Sequence, residues 1–95
     1  MKLGADKETL AENKVLILYL LSLMENPINN DALYRLVLSI QDMNYFYFQQ
    51  FLIDLSENKY IVCYEKENKE VYEITENGRN TLDLTIDMLP RNNKT

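Results

Sequence analysis

The segment Asn44-Tyr45-Phe46-Tyr47-Phe48-Gln49-Gln50 concentrates amide and phenol side chains in about two turns of a helix. A carboxamide donates and accepts at once, so Gln49 and Gln50 match the edge of adenine. Asn44, Tyr45 and Tyr47 can reach a base or a phosphate. Two further groups fit the same chemistry. Asn29 and Asn30 precede an apolar-periodic run, and the N–H groups that open such a helix suit a phosphate. Lys66 and Lys69 bound a polar stretch between two runs of β-formers, where they can meet the backbone or minor groove. These residues are the candidate DNA contacts.

Other chemistry is sparse. The chain has no His, which excludes Ser-His and Cys-His nucleophile pairs, His zinc sites and the usual neutral-pH acid/base. With two glycines, Gly4 and Gly78, no Gly-rich phosphate loop can form. Cys63 is alone, so no internal disulfide exists; it reads as a small buried hydrophobe, and a lone Cys favours the cytoplasm. Glu65, Glu67 and Glu73 read as the solvated face of a hairpin, and Asp83 and Asp87 as solvent-facing. No catalytic residue, metal ligand, cofactor or small-molecule ligand is expected, and the chain is not read as an enzyme.

Charge opposes the candidate contacts. Fifteen acids stand against ten bases, for a net charge of -5. Phosphate binding needs a positive face. Any DNA contact must then be local and weak for an isolated domain, unless two-fold pairing doubles it.

The elements that position these residues follow from apolar spacing. At 95 residues the chain is one small domain, placed at 5–90 with a polar tail at 91–95. It is 46% hydrophobic, enough for a dense core. A first helix is predicted over Lys7–Met24. Leu10, Ile17, Leu18, Leu21 and Met24 form one stripe, while Val15, Leu16, Tyr19, Leu20 and Leu23 form a second. A second stripe needs a cover, and a second copy of the chain is the expected one. A fully central helix is the alternative. A second helix is predicted over Asn30–Ser39 with Ala32, Leu33, Leu36, Val37 and Ile40 inward, then a turn at Gln41-Asp42-Met43. A third, Asn44–Asn58, carries Phe48, Phe51, Leu52 and Leu55 at buried-stripe spacing. Strands at Tyr60–Glu65 and Glu70–Thr75 flank the charged tip Lys66-Glu67-Asn68-Lys69. A fourth helix, Glu76–Met88, is capped by Thr75, with Gly78 where backbones can pack closely. Leu82, Ile86 and Leu89 face inward; Leu84 and Met88 are left over and join the expected homodimer interface with Val15, Leu16, Tyr19, Leu20 and Leu23. No run approaches the length of a membrane span, and no signal peptide opens the chain.

Helix, helix, tight turn, helix, hairpin, helix is the order of a winged helix-turn-helix. The expected class is α+β and mostly helical: a three-helix core, a two-stranded wing hairpin and a C-terminal helix. The run Phe48–Ile61, ending Leu52-Ile53-Asp54-Leu55-Ser56-Glu57-Asn58-Lys59-Tyr60-Ile61, resembles the recognition helix and first wing strand of bacterial winged-helix regulators. Lys59 stands where such families usually have Gly. Tyr72-Glu73-Ile74-Thr75-Glu76-Asn77-Gly78-Arg79 resembles their second wing strand entering the last helix.

Leu10-Ala11-Glu12-Asn13-Lys14-Val15-Leu16-Ile17-Leu18-Tyr19, with Asn44-Tyr45-Phe46 and Phe48-Gln49-Gln50-Phe51-Leu52, is similar to a bacterial domain-of-unknown-function family with a predicted winged helix. That resemblance runs from about Asp6 to Pro90. It implies the fold and a transcription-regulator role, with the helix at about 44–58 as recognition helix and DNA as partner. It also implies a further domain beyond the winged helix in longer members. The other reading is a protein-interaction or dimerisation module on the same scaffold. It draws on the doubly apolar first helix and the acidic wing.

Overall fold

The apolar spacing produces α1 (Lys7–Ser22), β1 (Ile28–Asn29), α2 (Asn30–Leu38), α3 (Tyr45–Glu57), β2 (Ile61–Lys66), β3 (Lys69–Ile74) and α4 (Glu76–Thr85) in the computed structural model, which describes residues 7–86. The class is α+β and mostly helical, in winged-helix order. Met88, Leu89 and the tail from residue 91 lie outside the described residues, as do Asp87 and the side chain of Leu10. No described helix is long and apolar enough to cross a membrane.

α1 is the central element. It touches α2, α3, β3 and α4. Val15, Leu16, Ile17, Leu18, Leu20 and Leu21 are all buried in the core with Leu33, Val37, Phe48, Phe51, Leu52, Leu55, Ile61 and Leu82. The expected interface on the second stripe is therefore corrected: Val15, Leu16 and Leu20 are covered by their own chain. Tyr19 and Leu23 remain exposed at the end of the stripe, and Leu84 on α4 is 85% exposed. Ile40, expected to face inward, is exposed because α2 stops before it.

The sheet is antiparallel in the order β1-β3-β2, one strand more than the hairpin expected. Ile28 pairs with Tyr72 and Asn29 with Val71, so β1 fastens the entry of α2 to the hairpin. The hairpin itself runs from Ile61↔Ile74 to Lys66↔Lys69. Its loop is two residues, Glu67 and Asn68, with φ of 52° and 67°. Positive φ at both positions is the primed turn that matches strand twist. It draws both lysines into the strands, directly opposite each other.

α3 ends in a tight left-handed cap. The Tyr60 N–H donates to the Leu55 carbonyl (2.9 Å) and the Lys59 N–H to the Ser56 carbonyl (3.0 Å). This is the Schellman pattern, which places Lys59 at the position usually held by Gly. Lys59 has φ 66°, a left-handed conformation that costs a side-chain-bearing residue about 1 kcal/mol or more. Lys59→Gly is accordingly expected to raise unfolding free energy by up to about 1 kcal/mol. Urea denaturation reads it, and a loss of stability would mean that the Lys59 side chain does more than tolerate the turn.

Candidate nucleic-acid interface

β1 and the start of α2 set the first part of the site. Asn29 is extended, and its Oδ1 accepts the Ala32 N–H at 2.9 Å, capping α2. That bond satisfies one of the four N–H groups that open the helix, so Asn29 shapes the helix end with its side chain. Asn44 does the same for α3: its Oδ1 accepts from the N–H groups of Phe46 (2.8 Å) and Tyr47 (3.3 Å).

Asn30 joins the two helices. Its Nδ2 donates to the Tyr45 hydroxyl at 2.9 Å, and its Oδ1 accepts from Gln49 Nε2 at 2.8 Å. Tyr34 supports the junction from beneath. Its hydroxyl donates to the Met43 carbonyl (2.7 Å), and its ring meets Tyr45 and Phe48 with centroids at 4.9 Å each. The turn between α2 and α3 is thereby held, and Tyr45 and Gln49 are fixed relative to Asn30.

The hairpin reaches the same region. Asn29, Asn30, Asp31, Lys69 and Glu70 line an open cavity of about 240 Å³. Pro27, Asn29, Lys66, Glu67, Lys69 and Val71 line a neighbouring one of about 340 Å³. The fold thus gathers Asn29, Asn30, Tyr45, Gln49, Lys66 and Lys69 around the start of α2. Gln49 is half-buried with one amide hydrogen engaged by Asn30, whereas Gln50 is exposed.

The outward face of α3 is Phe46, Gln50, Ile53 and Glu57, with Tyr47 beside it. Phe46 is 66% exposed and Ile53 49%. Phe46 was no candidate from sequence, although it lies off the Phe48–Phe51–Leu52–Leu55 stripe. α3 carries no Lys or Arg, and Asp54 is paired with Lys14 across to α1 at 3.2 Å.

Where that face turns toward the sheet, Gln49, Leu52, Ile53, Ser56 and Glu57 face Cys63 and Tyr72 across a groove of about 230 Å³. Cys63 is exposed, correcting the expectation of a buried residue. Partial burial and then the Glu70 charge push its thiol up, which the Tyr72 hydroxyl opposes. The Tyr72 phenol is pushed up to about 12, first by burial and then by the charges of Cys63 and Glu70. Such a thiol stays protonated at neutral pH and is a poor nucleophile.

A search of curated proteins finds no match. A family model described as "Domain of unknown function (DUF4364)" matches residues 13–95. That span takes in α1 from Asn13 to its end, both candidate helices and the hairpin, so the chain belongs to the DUF4364 family.

Proposed function

We propose that this domain is a cytoplasmic DNA-binding transcription regulator of winged-helix type, with α3 as recognition helix. One observation carries the reading. Asn30 ties the start of α2 to Tyr45 and Gln49, while Lys69 shares a cavity with Asn29 and Asn30. Helix start, recognition helix and wing tip thus form one surface, the arrangement by which such folds straddle a duplex. Lys66 and Lys69 supply its cations, Gln50 and Tyr47 the exposed hydrogen-bonding groups on α3. Pairing of two copies would double these contacts; of the side chains expected at a homodimer interface, Tyr19, Leu23 and Leu84 are exposed.

Selection of bound duplexes by the chain at stated salt tests the proposal. With few phosphate contacts, log affinity should fall against log salt with a slope of only about -2. Replacing Gln49 and Gln50 together by Ala should flatten base preference by about tenfold at one position. Unchanged affinity and preference would remove α3 from base reading. A second reading, a protein-interaction module, draws on Phe46 and Ile53, whose exposed apolar surface sits on a helix without a cation. Failure to enrich any duplex sequence selects that reading.

A further inference from the structure

The two faces of the hairpin have opposite chemistry. Strand alternation puts Ile61, Cys63 and Glu65 on one face with their partners Ile74, Tyr72 and Glu70. Val62, Tyr64 and Lys66 share the other with Glu73, Val71 and Lys69. Glu65 and Glu70 stand directly opposite each other, a like-charge pair that destabilises a ladder in isolation. On this face Cys63 and Tyr72 form the floor of the groove under α3, and Glu65 and Glu70 follow them toward the hairpin tip. Glu70 raises both Cys63 and Tyr72 on the groove floor, and Glu57 closes the rim. None of the residues lining the groove is a cation. β2 is also an outer strand: on the side away from β3 it has no strand partner among the described residues.

The geometry points to a second docking surface: the groove between α3 and β2 takes an extended, basic segment of a partner protein. An apolar side chain of that segment packs on Leu52, Ile53 and Cys63. Its cations lie over Glu57, Glu65 and Glu70. Its backbone can add along β2, the mode by which extended peptides join a free sheet edge. A nucleic acid is repelled there by the three carboxylates. A second copy of this chain would bring the same carboxylates, and a net charge of -5, against themselves. A cationic partner relieves the Glu65–Glu70 repulsion that the free domain carries. The groove shares Gln49 with the duplex contacts, and Glu70 stands between it and the cavity at the start of α2; Glu57, Glu65 and Cys63 belong to the groove side alone.

The test is titration of the isotope-labelled full chain with a short peptide of alternating Val and Lys, and with one of alternating Val and Glu as control. Saturable amide shifts at Ile53, Cys63 and Tyr72 are expected from the basic peptide alone. The double variant E57Q/E65Q, altered only at exposed positions that do not line the cavity at the start of α2, should bind it about tenfold more weakly, and should bind duplex DNA no more weakly. Sedimentation should show no dimer closed through β2. Absence of saturation, equal binding of both peptides or unchanged affinity in the double variant overturns the assignment. Shifts confined to the start of α2, or a dimer built on the β2 edge, do so as well.

Discussion

Gly78→Ala should cost the domain about 3 kcal/mol, although Gly→Ala inside a helix ordinarily stabilises by about 1 kcal/mol. A Cβ at Gly78 would lie 2.1 Å from the Tyr60 carbonyl oxygen, 2.8 Å from Ile74 Cγ1 and 3.0 Å from the Tyr60 carbonyl carbon. Two of these are backbone atoms and cannot swing aside. The Tyr60 carbonyl is also tied down, accepting from the Thr75 N–H at 3.0 Å. Thr75 Oγ1 lies within donor distance of the Lys59 and Tyr60 carbonyls (2.7 and 3.0 Å) and accepts the Gly78 N–H at 2.9 Å. Any retreat of α4 that makes room for a methyl group pulls on this cap. The expected loss therefore combines overpacking with part of a cap worth about 1 kcal/mol. Against a total stability of roughly 5–10 kcal/mol this is a large fraction. Thr75→Ala, which adds no bulk, should lose only the cap. Urea denaturation of both separates the two causes, and a stabilised Gly78→Ala would place α4 farther from Tyr60 than the structure has it.

That contact was legible in the sequence in outline, because a Gly three residues after a Thr cap has few other reasons to sit in a helix. The helices were legible for a similar reason. Phe48, Phe51, Leu52 and Leu55 can share one face only if the chain is helical there, and all four are buried. β1 was not legible. It has two residues, and Asn29 also caps α2, so no alternation exists to read. The stripes of α1 were visible but their cover was not. Spacing says that Val15, Leu16 and Leu20 must be buried; it does not say whether another chain or α2, α3, β3 and α4 do so. The site was legible as residue types and not as a network. Nothing in local pattern predicts that Asn30 bonds both Tyr45 and Gln49, which lie 15 and 19 residues away. The acidic surface was likewise hidden: Glu65 and Glu70 join the face of Cys63 and Tyr72 only once the hairpin register is set.

Replacing Lys66 and Lys69 together by Gln should move stability and DNA binding in opposite directions. The two ammonium groups sit on directly opposed positions at the end of the hairpin, with both side chains exposed. Like charges so placed destabilise a strand pair, so neutralising them should leave Tm slightly higher. Duplex binding should fall, because these lysines are the cations that the hairpin brings to the start of α2, and α3 offers none to replace them. Each phosphate contact contributes about 0.9 to the salt slope, so losing two should remove nearly all of a slope near -2. Affinity at low salt should drop by about tenfold to a hundredfold. A merely structural role for the tip predicts the reverse pairing, with binding lost only as the hairpin loosens. Retained affinity with a retained slope would locate the phosphate contacts elsewhere. Arg35 on α2, Lys59 after α3 and Arg79 on α4 would then be the next exposed cations to replace. The opposed signs also separate this surface from the groove beneath α3, where removal of charge weakens a basic peptide and spares the duplex. Two neutralising variants on the two faces of one hairpin thus assign each face its partner.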